Sequence, residues 1–216
     1  QFERLDRVKL NKEDHKELKN YCENSNIIFS SSPFDHKSAD FLNELDVPFF
    51  KVASGEITNL PLLKHISTFN KPILLSTGMA SLGEIEEALN AMGDEHKKDI
   101  ILMHCLSDYP SKWEDANLRA IHTLKYAFHL PVGFSDHSEG IELSLVAVGM
   151  GAVIIEKHIT LDRDMVGGDH KASLEPDEFN NMVKKIRRVE NALGDGIKRC
   201  MPSEKNVRDI ARKSVV

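Results

Sequence analysis

Short apolar runs alternate with amphipathic stretches along almost the whole chain, and this alternation restricts the fold more than any other feature. The runs are uniformly apolar, which indicates strands buried on both faces of a parallel sheet. Strict alternation of strands and helices leaves an open doubly wound sheet or a closed (β/α)8 barrel. Six strands are predicted, at residues 27–31, 48–53, 72–77, 100–104, 131–135 and 152–158.

Capping residues mark the starts of the helices between these strands. Asn11 and Ser38 are predicted N-caps, and Ser81 with Glu84 forms a Ser-x-x-Glu capping box. Gly194 is expected to end the last long helix. The predicted helices span residues 11–24, 38–45, 60–67, 81–92, 117–128, 141–151 and 175–193, with a weak one at 203–212.

Polar residues follow nearly every predicted strand at its carboxyl end, and they favour the barrel. An open sheet gathers its ligands at one switch point, whereas the βα loops of a barrel all converge at its mouth. No Gly-x-Gly-x-x-Gly follows any strand, so a dinucleotide site has little support. We therefore predict an α/β fold of the TIM-barrel type, incomplete here, with the first two strands missing before residue 11.

The overall composition excludes several classes of partner. The formal net charge is −6 and basic residues occur only in short groups among acids, so we expect no nucleic-acid partner. No apolar run approaches the roughly 20 residues of a membrane helix, so we expect no membrane partner. The odd count of three cysteines suggests a reducing, cytoplasmic location. The chain begins with Gln1, so we expect it to be part of a longer protein.

Two histidines at neighbouring strand ends form the strongest candidate site. His137 and His158 each follow a predicted strand, and parallel neighbours lie about 4.8 Å apart. Two neutral imidazoles with open positions suit Mn²⁺, Zn²⁺ or Fe²⁺ as a Lewis acid. The adjacent Asp136 and Glu156 could orient them. The alternative is a pair of structural histidines hydrogen-bonded at strand ends.

A lysine and two serines predict an anion pocket nearby. Lys51 lies within a buried strand, where its charge is costly unless an anion meets it. Ser54 and Ser76 could complete a phosphate cradle with backbone N–H groups. A Schiff-base lysine and an ion pair between Lys51 and Glu56 are the alternatives.

Two carboxylates are further candidates. Glu56 follows a glycine at a strand end, where a general acid/base role and a surface cap are both compatible with the pattern. Asp169 lies in a Gly-Gly-Asp-His loop after the last strand and could bind sugar hydroxyls, or form an ordinary Asx-turn.

These motifs resemble the sialic acid synthase family, whose members condense phosphoenolpyruvate with N-acetylmannosamine or a related sugar. The resemblance implies a TIM barrel, Mn²⁺ (with Mg²⁺, Co²⁺ or Zn²⁺ as alternatives), a domain-swapped homodimer and a C-terminal antifreeze-like domain. Residues 1–196 would be the partial barrel and 197–216 a linker toward that absent domain. The matching motifs are SPFD at 32–35, KVASGEITN at 51–59, LSTGM at 75–79, HC at 104–105 with YP at 109–110, SDH at 135–137, EKH at 156–158 and GDHKASL at 168–174.

The resemblance also implies roles for individual residues. His137 and His158 resemble the metal ligands and Glu56 the acid/base residue. The remaining matches resemble substrate-binding residues: Lys51, Ser54, Ser76 and Ser135 for phosphoenolpyruvate, and Tyr109, Asp169, Ser32 and Ser107 as further contacts, mainly toward the sugar.

Three departures from the family pattern leave the sugar open. Ser32 stands where Thr is usual, Leu106-Ser107 replaces a more polar pair, and Gly167 replaces Pro. The acceptor could be N-acetylmannosamine, its 6-phosphate, or a deoxy relative used for legionaminic, pseudaminic or spore-coat sugars. Alternative functions are a divalent-metal pyruvate aldolase and a catalytically inactive sugar-binding barrel.

Overall fold

The sheet is parallel and its strands follow one another in chain order. The computed structural model describes residues 10–213, the side chain of Asp209 excepted, so the last three residues of the predicted linker, 214–216, lie outside the described residues. Five strands pair in the order β1-β2-β3-β4-β5. They are β1 (Phe50–Val52), β2 (Ile73–Ser76), β3 (Ile100–Cys105), β4 (Val132–Asp136) and β5 (Ile155–Lys157).

This order identifies a half-barrel. A doubly wound sheet reverses its strand order at a switch point, whereas here each strand pairs with the next along the chain. Lys51 on β1 nevertheless approaches Glu156 on β5 to 3.3 Å between Nζ and Oε2. In a flat sheet these strands would be roughly 19 Å apart. The sheet is therefore strongly curled, as part of a TIM-type barrel is.

The first predicted strand is wrong. Residues 27–31 form no strand, and Ile27 and Ile28 are 62% and 71% exposed. The segment runs beside β1, where the Ser30 hydroxyl donates to the Phe49 carbonyl at 2.9 Å. Apolar composition alone cannot show whether a run finds a backbone partner, and this one lies at the edge of the described sheet. The two strands expected before residue 11, and the domain boundary at 196, stay predictions.

Helices alternate with the strands, and those with buried apolar faces pack on the outer face of the sheet. They are α1 (Lys12–Asn24), α2 (His36–Glu44), α3 (Leu60–Ser67), α4 (Leu82–Met92), α5 (Ala120–Phe128), α6 (Glu142–Gly149) and α7 (Pro176–Leu193), followed by α8 (Lys205–Ala211) in the segment predicted as a linker. None of the helices between residues 10 and 213 combines the length and apolarity needed to cross a membrane.

Most predicted caps are confirmed. The Asn11 side chain accepts from the backbone N–H groups of Glu13 and Asp14, and the box of Ser81 and Glu84 is formed on both sides. Ser38 is not an N-cap. Asp35, three residues earlier, takes that role because its carboxylate accepts the Ser38 N–H at 2.9 Å, and the helix therefore begins at His36.

The two faces of the sheet carry different residues because side chains alternate along a strand. The outer face packs against the helices as one apolar core, with Phe50, Leu75, Leu102 and Phe134 from the sheet against Leu62, Ile66, Ile85 and Ile121. Large apolar side chains buried this way each contribute about 1.5–3 kcal/mol. The inner face is left to polar residues toward the carboxyl ends of the strands.

Candidate active site

Strand register brings the polar residues of the inner face together. Lys51 precedes the end of β1, Ser76 ends β2, and the register pairs Cys105 with Ser135 and Ser135 with Glu156. All lie on the face opposite the helices, at the carboxyl ends of the strands, which is where barrel enzymes build their active sites.

Lys51 is the centre of a hydrogen-bonded network across this face. Its side chain is 16% exposed, and Nζ donates to Ser76 Oγ at 2.8 Å and lies 3.3 Å from Glu156 Oε2. Ser135 Oγ donates to the other oxygen of Glu156 at 2.7 Å. The alternative considered for Lys51, an ion pair with Glu56, is not formed, because the curl of the sheet brings Glu156 to the ammonium instead. The network leaves a positive group among hydroxyls, which an anion could reach.

The two predicted metal ligands are neighbours. The ring centroids of His137 and His158 are 5.3 Å apart, with the ring planes at 83°. Nδ1 of His137 is hydrogen-bonded to the Leu106 carbonyl, which can only accept, so Nδ1 carries a proton. Burial lowers the pKa of His137, which favours the neutral form of the ring. Nε2 therefore presents a lone pair, 3.0 Å from Ser135 Oγ.

This donor set fits a divalent metal ion in its chemistry. A neutral imidazole held through Nδ1 by a carbonyl is the usual state of a metal ligand. Within residues 10–213, however, no group of three or more His, Cys, Asp or Glu side chains is arranged to hold a metal. The histidine pair could supply two ligands, and other positions would need water, substrate or groups outside the described residues.

Tyr109 covers the histidine pair. Its ring centroid lies 4.2 Å from that of His137 and 5.5 Å from that of His158. The loop carrying it is attached to the same residue, because the Ser111 N–H donates to the His137 carbonyl at 2.9 Å. Burial and then nearby negative groups, Asp169 among them, raise the pKa of Tyr109. The hydroxyl therefore stays protonated as a donor.

Gly78 brings two predicted serines together, and sequence reasoning missed it. Its N–H donates to Ser54 Oγ at 3.1 Å, and Ser54 Oγ lies 3.2 Å from Cys105 Sγ. A Cβ at position 78 would lie 2.7 Å from Ser54 Oγ and 2.5 Å from Ser107 Oγ. Only glycine allows this approach. The sequence feature that could have indicated this role is the position of Gly78, directly after Ser76-Thr77 at a strand end, because glycine allows the backbone to come close to a ligand.

Three predicted residues are not joined to this network. The nearest polar partner of Glu56 is Asn59, whose Nδ2 donates to Oε2 at 2.7 Å. Ser32 lines a groove of about 320 Å³ between α1 and α2. Asp169 has a left-handed backbone (φ 68°), and its carbonyl accepts from Ser173 Oγ at 2.8 Å. Among the described residues no hydrogen bond or ion pair links these side chains to the histidines.

Two polar side chains near the carboxyl ends of the strands lie on the other face. Asp136 points away from His137 toward the helices, where its carboxylate lies 3.3 Å from Lys157 Nζ, so among the described residues it makes no direct hydrogen bond to either imidazole. His104 also faces the helices, and its Nε2 lies 2.9 Å from the Ala116 carbonyl. Strand alternation explains both, because neighbouring residues of a strand point to opposite faces.

A curled parallel half-barrel with its polar residues at the carboxyl ends of the strands is the architecture of a TIM-barrel enzyme. A comparison with known protein families identifies the family to which this barrel belongs. Residues 1–198 match the model of the NeuB family, and the chain belongs to that family. The resemblance noted from the sequence motifs is thereby confirmed.

Similar proteins carry the names of nonulosonic acid synthases. The N,N'-diacetyllegionaminic acid synthase of Campylobacter jejuni is 50% identical over all of this chain, which covers 65% of that protein. The N-acetylneuraminate-9-phosphate synthase of Mus musculus is 39% identical over 94% of the chain and is covered to 57%. The chain thus spans about two thirds or less of the length of these relatives.

A solved structure agrees with the fold. The N-acetylneuraminic acid synthetase of Leptospira borgpetersenii, crystallised with citrate, superposes with a TM-score of 0.90 at 39% identity, over 98% of this chain and 75% of that one. A truncated 3-deoxy-D-arabino-heptulosonate 7-phosphate synthase from Thermotoga maritima, at 21% identity and a TM-score of 0.75, supports the fold alone.

Proposed function

We propose that the full-length protein is a nonulosonic acid synthase that condenses phosphoenolpyruvate with an acylated amino sugar and releases phosphate. Membership of the NeuB family supports the reaction class. The observation that carries the proposal is the position of Lys51, with Ser76, Glu156 and Ser135, on the same face as the histidine pair. This combination offers a place for an anion beside a place for a carbonyl group.

Phosphoenolpyruvate would bind at the Lys51 network. The ammonium of Lys51 and the hydroxyls of Ser54, Ser76 and Ser135 supply charge-assisted hydrogen bonds, the strong class of hydrogen bond for phosphate and carboxylate groups. In the structure Lys51 contacts Glu156, so an incoming anion would share or replace that contact.

The sugar would bind on the histidine side. Tyr109, which covers both imidazoles, and Asp169 would contact its hydroxyl and acylamino groups, with Ser32 and Ser107 as further proposed contacts. A divalent cation held by His137 and His158, for which we propose Mn²⁺, would polarise the aldehyde of the open-chain sugar.

The bonds then follow from this placement. C3 of phosphoenolpyruvate bonds to the aldehyde carbon, water adds at C2, and phosphate leaves by C–O cleavage, which gives the 2-keto acid. Glu56, whose Oε2 accepts a hydrogen bond from Asn59, is proposed to act as the acid/base group in these steps. Holding both substrates in a reactive orientation could lower the activation free energy by at most about 7–11 kcal/mol.

The test is phosphate release by the natural full-length protein. We expect release only when phosphoenolpyruvate, Mn²⁺ and one member of a panel of acylated hexosamines are all present. The panel includes N-acetylmannosamine, its 6-phosphate and the di-N-acetylated deoxy sugars. Turnover with pyruvate and no phosphate release would indicate the aldolase instead. Sugar binding without turnover would indicate an inactive barrel. Homodimerisation and a cytoplasmic location stay predictions.

A further inference from the structure

A buried ion pair lies on the outer face of the sheet, directly behind the histidine pair, and the proposed reaction does not use it. The side chains of Asp136 and Lys157 are both 0% exposed, with Nζ 3.3 Å from Oδ1. The register of β4 and β5 pairs the two residues directly. Removing two charges from water is expensive, and apolar replacements are often no less stable, so net stability alone does not explain such a pair.

The ion pair holds the residue after His137 from both sides. Asp136 Oδ1 accepts from the backbone N–H of Ser138 at 2.9 Å and from its hydroxyl at 2.6 Å. The ammonium of Lys157 donates to the carbonyl of the same Ser138. Ser144 on α6 donates to the second oxygen of Asp136 at 2.7 Å, which attaches the arrangement to a helix.

Each charged residue immediately precedes one of the histidines. Asp136 comes before His137 and Lys157 before His158, and alternation sends the charges outward and the imidazoles inward. The pair therefore joins the ends of β4 and β5 at the last position before the two rings. Any change in its spacing is transmitted through a single peptide unit on each strand.

We propose that Asp136, Lys157 and Ser138 are positioning residues that set the separation and orientation of the imidazoles of His137 and His158 for a shared metal ion. This inference rests on the proposed role of the histidine pair as metal ligands. Outer residues that orient metal ligands typically change metal affinity 10- to 100-fold when replaced.

The experiment measures Co²⁺ binding by the full-length protein, through titration and the visible absorption of the bound ion. We expect Asp136→Asn and Lys157→Met to weaken Co²⁺ binding about 10- to 100-fold and to change the absorption spectrum. Ser138→Ala should weaken it less, and Ser138→Thr, which keeps the hydroxyl, should restore it. Lys71→Met is the matched control, because it breaks the exposed ion pair with Asp46 (2.7 Å) far from this site.

Folded variants that bind Co²⁺ with the affinity and spectrum of the wild type would overturn the inference, even if they melt at lower temperature. If Asp136→Asn or Lys157→Met does not fold, the comparison of Ser138→Ala with Ser138→Thr decides. His137→Ala separates the claims: unchanged Co²⁺ affinity would overturn the ligand role and this inference together. A protein that binds Co²⁺ through His137 but releases no phosphate fails only the proposed reaction.

Discussion

Replacing Gly78 with alanine is the sharpest test of how the inner face is packed. The new Cβ would lie 2.5 Å from Ser107 Oγ, 2.7 Å from Ser54 Oγ and 3.1 Å from Cys105 Sγ. Ser107 is exposed and can rotate away at little cost. Ser54 cannot, because its Oγ accepts the N–H of Gly78 itself. The clash must therefore separate Gly78 from Ser54 or shift the strand end.

The size of the effect follows from overpacking. Forcing one extra methyl group into a filled site typically costs about 1–3 kcal/mol. For a protein of this size, 1 kcal/mol lowers the melting temperature by about 2–4 °C, so we expect Gly78→Ala to lower it by roughly 2–12 °C. Displacement of Ser54 should also raise the KM for phosphoenolpyruvate, since that hydroxyl belongs to the proposed anion pocket.

The assay is thermal unfolding followed by circular dichroism, with phosphate-release kinetics on the same samples. Gly149→Ala is the matched control, because a Cβ there meets nothing within 4 Å. Replacing glycine with alanine at such a site reduces the conformational entropy of the unfolded chain and stabilises the native state by about 0.4–1 kcal/mol. The melting temperature of the control should therefore equal or exceed that of the wild type. If Gly78→Ala behaves like Gly149→Ala, with an unchanged KM, the packing described around Gly78 is wrong.

Two further predictions concern charge. Lys51→Met should raise the KM for phosphoenolpyruvate roughly 10- to 100-fold, since a hydrogen bond to a charged group contributes about 1.5–3 kcal/mol. Initial rates of phosphate release measure this KM, and an unchanged value would contradict the prediction. Burial lowers the pKa of His104 below its ordinary value of 6.5. As the pH falls through 6.5, the unfolded state therefore binds more protons than the native state does, and the free energy of unfolding decreases. His104→Gln keeps a donor for the Ala116 carbonyl but cannot titrate. In urea unfolding, this variant should therefore lose less free energy of unfolding between about pH 7 and pH 5 than the wild type. Equal losses would refute the assignment of this pH dependence to His104.

The strands were predictable where a uniformly apolar run is bounded by turn residues, because burial on both faces of a parallel sheet requires such runs. The run at 27–31 has the same composition but finds no ladder partner in the described residues. Whether an apolar run pairs depends on its neighbours in space, which composition does not contain. The curl that brings Lys51 to Glu156 is likewise a property of the whole sheet.

The histidine pair was predictable because both rings follow strand ends. The outward direction of Asp136 was predictable too, since it stands one residue from His137 in a strand of period two. Expecting its carboxylate to orient the imidazoles by direct contact neglected that alternation. Its pairing with Lys157 needs the register of β4 against β5, which no local pattern specifies.

The central claim is that the histidine pair and the Lys51 pocket face one shared space. Paramagnetic relaxation measures this directly, with the ³¹P and C3 proton signals of phosphoenolpyruvate followed as Mn²⁺ is added to the full-length protein. We predict strong enhancement that is lost in His137→Ala with His158→Ala, while phosphoenolpyruvate binding itself persists. Enhancement that is equally strong without the two histidines would contradict the account.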